Sequence, residues 1–332
     1  MTAGRTRNRI GIIGFASNSG LGTLSWEFAR HLLPERVLLA KTRYAEFPHR
    51  FPKSRRGLTA ENVEWLLSGI DVLLMFETPG GDWDVLRLAK KRGVRTVMIP
   101  MFECMPVPWP ALPDLVICPS KLDLKIFRDE LSCKVLYVPV PVDRERVRFH
   151  QRSRALVFEH HAGHGGLYGR NGTHELLAAV PMLKSDARIL IYTQRAIEFS
   201  HPKVEVRVGN YEHYWELWGK GDVFVFPHKF DGLSLPIQEA LSSGMPVLST
   251  AIAPFVGWLP NEWMFPAVER TEMRVFQRFV DVAVVDPADV ARKIDEWHDR
   301  DITADSALAN RLAAKLDWRR LLDEYLKILS QL

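Results

Sequence analysis

Short apolar runs alternate with amphipathic stretches along most of this chain. Arg9–Phe15 (RIGIIGF) reads as a buried strand, and Leu21–Leu33 behind it repeats apolar residues at helical spacing. Val37–Ala40, Val72–Phe76, Val94–Pro100 and Leu115–Cys118 are further strands, rich in branched residues and bounded by Gly, Pro or Asp. Helical patterns at Trp83–Arg92 and Ser120–Asp129 lie between them. That rhythm predicts parallel βαβ units with right-handed crossovers. Val135–Val142 (VLYVPVPV) carries two prolines, which hold the backbone extended, and reads as a connector.

The alternation restarts at Ala155–Phe158. It predicts helix 172–183, strands 188–192 and 203–208, helix 211–218, strand 222–226, helix 235–243 and strand 246–249, with helical patterns at 287–298 and 303–331. The fold class is therefore α/β, with two doubly wound parallel-sheet halves joined near residue 145. Such sheets bind ligands at the carboxyl ends of their strands, and two facing halves are expected to leave a cleft there.

Composition narrows the class. The 332 residues are 47% hydrophobic and 25% charged, which fits a globular protein and excludes disordered, collagen-like and coiled-coil chains. No apolar run reaches the ~20 residues of a membrane span, and MTAGRTRNRI leads into a strand without a signal-peptide core. Three cysteines, Cys104, Cys118 and Cys133, lack CxxC spacing, so neither a disulfide framework nor a zinc knuckle is encoded. A cytoplasmic, reduced protein is expected. The net charge of +4 is uneven: residues 1–150 hold 23 Lys+Arg against 16 Asp+Glu, and residues 151–332 hold 21 against 24. The basic first half either meets an anionic partner, nucleic acid or membrane phospholipid, or is solvated surface.

Three loops carry the candidate chemistry. In the first, Ala16–Thr23, Gly20 and Gly22 let backbone N–H groups approach an anion at a helix start, although the spacing is neither a P-loop nor GxGxxG. The second, Glu159–Thr173, has five glycines in fifteen residues, and Arg170 near a helix start suits a diphosphate. Its His160, His161 and His164 lack companion carboxylates or cysteines at ligand spacing, so hydrogen bonding is favoured over a metal. The third stretch is DVFVFPHKFDGLSLPIQEALSSGMPVLST, residues 222–250. Asp231 precedes a helix and Glu239 lies about one turn inside it, with the amides of Gly232, Leu233, Ser234 and Leu235 between. Carboxylates accept paired sugar hydroxyls, and amides take negative oxygens. The alternative is a capped surface helix with a solvated Glu239.

This stretch resembles the nucleotide-binding motif of family 4 glycosyltransferases (glycosyl transferases group 1), which have the GT-B fold. The agreement runs over Pro227, Asp231–Gly232–Leu233–Ser234–Leu235–Pro236, Glu239–Ala240 and Gly244–Met245–Pro246–Val247. Ser120–Lys121, Pro139–Asp143, Arg170–Asn171–Gly172, Val285–Val290 and the helix around Trp318 extend it. Asp231 stands where Glu is usual and Ser234 where Gly is usual. The family's first-domain His has no counterpart, and Glu103 follows the strand at that place.

The resemblance implies an acceptor-binding domain over 1–145, a donor-binding domain over 146–312, and a helix over 313–332 that crosses back to the first. It implies a retaining transferase that uses a UDP- or GDP-sugar, with no metal and no other cofactor. Asp231, Glu239, Glu103 and Arg170 are the implied catalytic residues. Gly20, Gly22, His164, Gly165, Gly166, Arg170, Asn171, Gly232, Leu233, Ser234, Leu235 and Glu239 are the implied donor-binding residues. Glu239 would take the ribose and Asp231 the sugar hydroxyls. The acceptor stays open among a saccharide, a lipid-linked sugar, a protein and a hydroxymethylated DNA base. A catalytically silent nucleotide-sugar binder and a nucleotide-sugar epimerase are the other readings.

Overall fold

The computed structural model describes residues 8–42, 44–165, 169–211 and 213–332. The chain divides into two compact units. The first takes in the chain to Pro141 with Phe276–Arg278 and Trp318–Leu332, and the second takes in Val142–Val275 with Phe279–Asp317.

The first unit is a seven-stranded parallel sheet. In chain order it runs β1 (Ile10–Phe15), α1 (Gly20–Leu32), β2 (Arg36–Ala40), β3 (Ser54–Arg56), α2 (Ala60–Leu67), β4 (Val72–Phe76), α3 (Asp84–Lys91), β5 (Arg95–Ile99), β6 (Leu115–Cys118), α4 (Lys121–Glu130) and β7 (Lys134–Tyr137). The spatial order is β3-β2-β1-β4-β5-β6-β7, so the winding reverses between β1 and β4. Strands β4 and β6 are buried throughout, as a sheet with helices on both faces requires. The edge strand β3 is exposed and reads SRR, charges that discourage further pairing.

The second unit repeats the plan with six parallel strands. It runs β8 (Val157–Gly163), α5 (Thr173–Ala179), β9 (Arg188–Thr193), β10 (Val204–Val208), β11 (Val223–Phe226), α6 (Leu235–Ser243), β12 (Val247–Thr250), β13 (Met264–Phe265), β14 (Glu269–Val275), β15 (Arg278–Val284), α7 (Pro287–Trp297) and α8 (Thr303–Ala314). The sheet order is β10-β9-β8-β11-β12-β13, so the winding reverses between β8 and β11. Phe158, Phe224, Phe226, Ile237, Leu241 and Trp297 belong to its buried core. Strands β14 and β15 form a separate two-stranded ribbon.

The chain ends in α9 (Trp318–Ser330), which packs within the first unit. Trp318 Nε1 donates to buried Glu27 Oε2 at 3.0 Å, and the Phe28 ring meets Trp318 and Tyr325 edge-on at 4.7 and 5.1 Å. Among the described residues no helix is long and apolar enough to cross a membrane.

Several elements differ from the sequence pattern. The 135–142 connector begins as a strand, β7, because its prolines come later and Val135 pairs with Val116. The expected helix 211–218 is a short 3-10 turn, Tyr214–Trp218, cut off by Gly219 and Gly221. The 303–331 helix breaks between α8 and α9, where Val142 N donates to Leu316 O. Strand β8 runs on to Gly163, so the glycine-rich loop starts later than its composition suggests.

Candidate functional site

The second unit's reversal point lies between β8 and β11, and the loops leaving those strands are packed on each other. Gly172 makes this possible. It has φ +73, and a Cβ there would lie 1.9 Å from Pro227 O, so only glycine lets the two backbones meet. Lys229 N donates to Arg170 O at 2.9 Å, and Ala283 N of β15 donates to Lys229 O at 2.9 Å. Lys229 Nζ pairs with Glu175 at 2.8 Å. The 227–231 segment is thereby fixed from both sides.

Asp231 is 4% exposed, and Leu233 N donates to its Oδ1 at 3.2 Å. Arg170 Nη1 lies 3.8 Å from Oδ1, and His228 Nδ1 lies 3.4 Å from Oδ2. Burial pushes the His228 imidazole down to about 3, against the opposing pull of Asp231, so the ring is neutral at physiological pH. Gly232, Leu233 and Ser234 then lead into α6. Ser234 takes a left-handed conformation, φ 56 and ψ 74, and makes no capping bond with its side chain. No acidic residue sits in the first turn of α6 itself, and the nearest carboxylate is Asp231 in the loop before it. Pro236 fits the helix start, where no intrahelical N–H is needed. At the other end Gly244, φ 91, closes the helix, with Met245 N donating to Ala240 O.

Helix α6 is not a surface helix: every residue from Ile237 to Ser243 is buried. Glu239 is 2% exposed rather than solvated. The Tyr214 hydroxyl lies 2.7 Å from each of its carboxylate oxygens and donates its proton to the pair. Arg146 Nη2 stands 3.3 Å from Oε1, with its guanidinium 3.7 Å over the Tyr214 ring. Neither Arg146 nor Tyr214 was singled out by sequence pattern. Their signal is weak, an arginine among several after the connector and an aromatic in a short turn.

The histidines of the glycine-rich segment are occupied. His160 lies inside β8, where Nδ1 donates to Val225 O at 2.8 Å and Nε2 accepts from the Thr173 hydroxyl at 2.7 Å. Burial pushes it down to about 4. His161 Nε2 lies 2.9 Å from Glu159 Oε1 and 3.2 Å from Leu217 O, both acceptors. Among the described residues no group of three or more His, Cys, Asp or Glu side chains is placed to hold a metal. Asn171 Nδ2 donates to Ala162 O at 3.1 Å and ties the loop to β8. His164 and Gly165 open that loop, the latter with φ +98, and Gly166 lies outside the described residues.

The remaining sequence candidates lie in the first unit. Gly20 opens α1, whose N-cap Ser19 accepts from Gly22 N at 3.4 Å. A Cβ on Gly22 would fall 1.7 Å from Ser17 O. Glu103 sits in a 3-10 turn, Phe102–Cys104, after β5 and is fully buried. The preceding amide, Phe102 N, donates to Asp123 Oδ1 at 2.9 Å.

Residues 162–270 match the family model described as glycosyl transferases group 1. No curated protein sequence matches the chain. Among solved structures, sucrose-phosphate synthase from Thermosynechococcus elongatus is similar at a TM-score of 0.69 and 14% identity, covering 98% of this chain and 99% of that one. Anabaena HepE in complex with UDP and glucose gives 0.69 and 11%, covering 98% and 100%. A glycosyltransferase from Rickettsia africae gives 0.67 and 12%, covering 98% of each. The architecture is the GT-B fold, and the matched segment is similar to glycosyl transferases group 1. The match falls wholly within the second unit and spans the Arg170 loop, Asp231 and Glu239.

Proposed function

We propose that this chain is a retaining, metal-independent glycosyltransferase that moves a sugar from a UDP- or GDP-sugar to an acceptor hydroxyl. The observation that carries the reading is the junction of the two loops at the second unit's reversal point. There Arg170, the uncapped start of α6 and Asp231 stand together, a cation, oriented amides and a hydroxyl acceptor in one place. The HepE structure is in complex with UDP and glucose, which favours UDP as the first donor to test.

In this reading the C1–O bond to the diphosphate loosens and negative charge grows on the departing phosphate. Arg170 and the α6 amides stabilise that charge. Asp231, fixed by Leu233 N and faced by Arg170, holds hydroxyls of the transferred sugar. Glu239, held by Tyr214 and Arg146, takes the ribose. The leaving phosphate takes the acceptor's proton as that oxygen attacks from the same face, so no enzyme nucleophile is needed. Positive charge on Arg170 and the helix dipole stands in for a metal, and turnover should persist in chelator. The acceptor is assigned to the first unit, where Glu103 and the Gly20–Gly22 loop lie.

The test is calorimetric titration with UDP, GDP, ADP and TDP and their sugar conjugates, repeated with Arg170→Ala. Arg170 suits this role better than Glu239, since its side chain is 23% exposed while that of Glu239 is 3% exposed. Binding of one nucleotide class, weakened at least tenfold in the variant, is expected. Absence of binding to every nucleotide would overturn the reading.

A further inference from the structure

Glu159 on β8 is a fully buried carboxylate to which the donor reading gives no task. Burying such a charge is costly unless donors surround it, and two do. His161 Nε2 lies 2.9 Å from Oε1, and Gly221 N donates to Oε2 at 2.9 Å. Two-residue spacing along the strand puts Glu159 and His161 on one face, with His160 on the other. A Cβ on Gly221 would fall 2.5 Å from that of Glu159, so glycine lets the chain pass this close. His161 Nε2 also lies 3.2 Å from Leu217 O. Both of these contacts only accept, so that nitrogen carries the proton. Arg152, 8% exposed, donates from Nη2 to Trp218 O at 2.8 Å and from Nη1 to Gly219 O at 3.4 Å. The Tyr192 hydroxyl of β9 donates to Glu216 O at 3.4 Å. Consecutive carbonyls from Glu216 to Gly219 are thus held by side chains from outside the turn Tyr214–Trp218.

A 3-10 turn this short bonds poorly within itself, and its last carbonyls have no helical partner. A glycine cap is the common remedy. Here buried charged side chains serve instead, although burial lowers the Arg152 guanidinium against the pull of Glu159 and Asp222. What the turn carries gives this arrangement its use. Its first residue is Tyr214, whose hydroxyl stands 2.7 Å from both oxygens of Glu239. A hydroxyl centred on two oxygens loses one of them after a slide of about 0.5 Å, so its mount must be rigid. We propose that Arg152, Glu159 and His161 are positioning residues for nucleotide binding: they fix the turn, and the turn sets Tyr214 on the Glu239 carboxylate. They act through Tyr214 and not by touching the ligand. The proposal rests on the reading of Glu239 as the residue that takes the ribose, and it adds the residues that orient that carboxylate.

The test is a double-variant cycle read by calorimetric Kd, using whichever of UDP, GDP, ADP and TDP binds the parent chain. His161→Leu removes the donor to Leu217 O and should weaken binding about tenfold, the size of one lost hydrogen bond. His161→Gln, whose amide can donate at nearly the same reach, should return affinity to within about threefold of the parent. Tyr214→Phe should lose about tenfold by itself. In the Tyr214→Phe background, His161→Leu should then lose less than about twofold more, because the path through the hydroxyl is already cut. Losses that multiply would show His161 acting independently of Tyr214 and overturn the proposal while the donor reading stands. Full affinity in His161→Leu, or a glutamine no better than leucine, overturns it equally. If His161→Leu does not fold, Arg152→Lys takes its place, since it keeps the cation and gives up the paired reach to Trp218 O and Gly219 O. The same coupling to Tyr214→Phe then decides. A parent chain that binds none of these nucleotides overturns the donor reading, and the positioning role with it.

Discussion

Glu239 is the residue whose surroundings say most about the site. A carboxylate this deeply buried is tolerable only with its charge matched, and Arg146 and the Tyr214 hydroxyl supply that match. Removing one member of a buried ion pair strands the other, so Arg146→Ala should lower unfolding free energy by about 3–5 kcal/mol. Tyr214→Phe deletes one hydrogen bond to a charged group and should cost about 1.5–3 kcal/mol. Urea denaturation of both variants and of the double variant measures this, and a loss below about 1 kcal/mol for Arg146→Ala would show the pair to be incidental. Asp231, Gly232, Ser234, Leu235 and Glu239 were legible in the sequence because one loop and one helix hold them in a single stretch. Arg146 and Tyr214 were not, since only the fold brings them to Glu239. His228 Nε2 has no hydrogen-bond partner among the described residues, and no local pattern records that.

Glycine decides the junction of elements on which the site depends. At Gly172 an added Cβ would strike the Pro227 carbonyl, and the positive φ would be strained as well. Gly172→Ala should therefore cost at least ~2–3 kcal/mol and weaken nucleotide binding, since it pushes Arg170 away from the 227–231 loop. Denaturation and titration of this variant check both, and unchanged nucleotide affinity would detach the Arg170 loop from the site. Helix α9 offers a second case, in the first unit. Trp318→Ala empties a buried aromatic site beside Phe28 and leaves Glu27 without its indole donor, and should cost about 3–5 kcal/mol by thermal or chemical unfolding. At this scale the sequence was most legible where strands are buried on both faces, as in β4, β6 and β11, because an unbroken apolar run has few other uses. It was least legible at the margins. Strand β3 is three polar residues paired only at an edge, and the ribbon β14–β15 alternates charge with apolar side chains outside both sheets. Helix α2 is short, and its signal is three inward residues, Val63, Leu66 and Leu67.

For the whole molecule, the same burial that shapes the second unit sets a dependence on acid. His228 is held down to about 3 and His160 to about 4, both chiefly by burial, and burial lowers His150 as well. Asp231 pulls His228 upward, while Arg170 and His160 push it further down. In the unfolded chain these imidazoles return to their ordinary value of 6.5. Above that value neither state holds the protons. As pH falls below it, the unfolded chain binds protons that the folded chain refuses, so stability drops until the folded groups titrate. The slope approaches roughly 1.4 kcal/mol per pH unit for each such histidine. Carboxylates lowered in the fold act in a different window. Asp71, lowered by its hydrogen bond from Arg9, and Asp301, lowered by the Thr303 amide, lose their contribution only as pH falls below 3.8. Loss of stability between pH 6.5 and about 4 thus belongs mainly to the buried histidines. Urea midpoints at pH 7.5, 5.5 and 4.5 should fall in that order. His228→Phe, which suits the ring of Phe226 and Phe255 around it, should flatten the profile by about one histidine's share. A parent chain equally stable at pH 7.5 and 4.5 would mean that the two imidazoles accept protons in place, and that the interior around Asp231 is wetter than its packing implies.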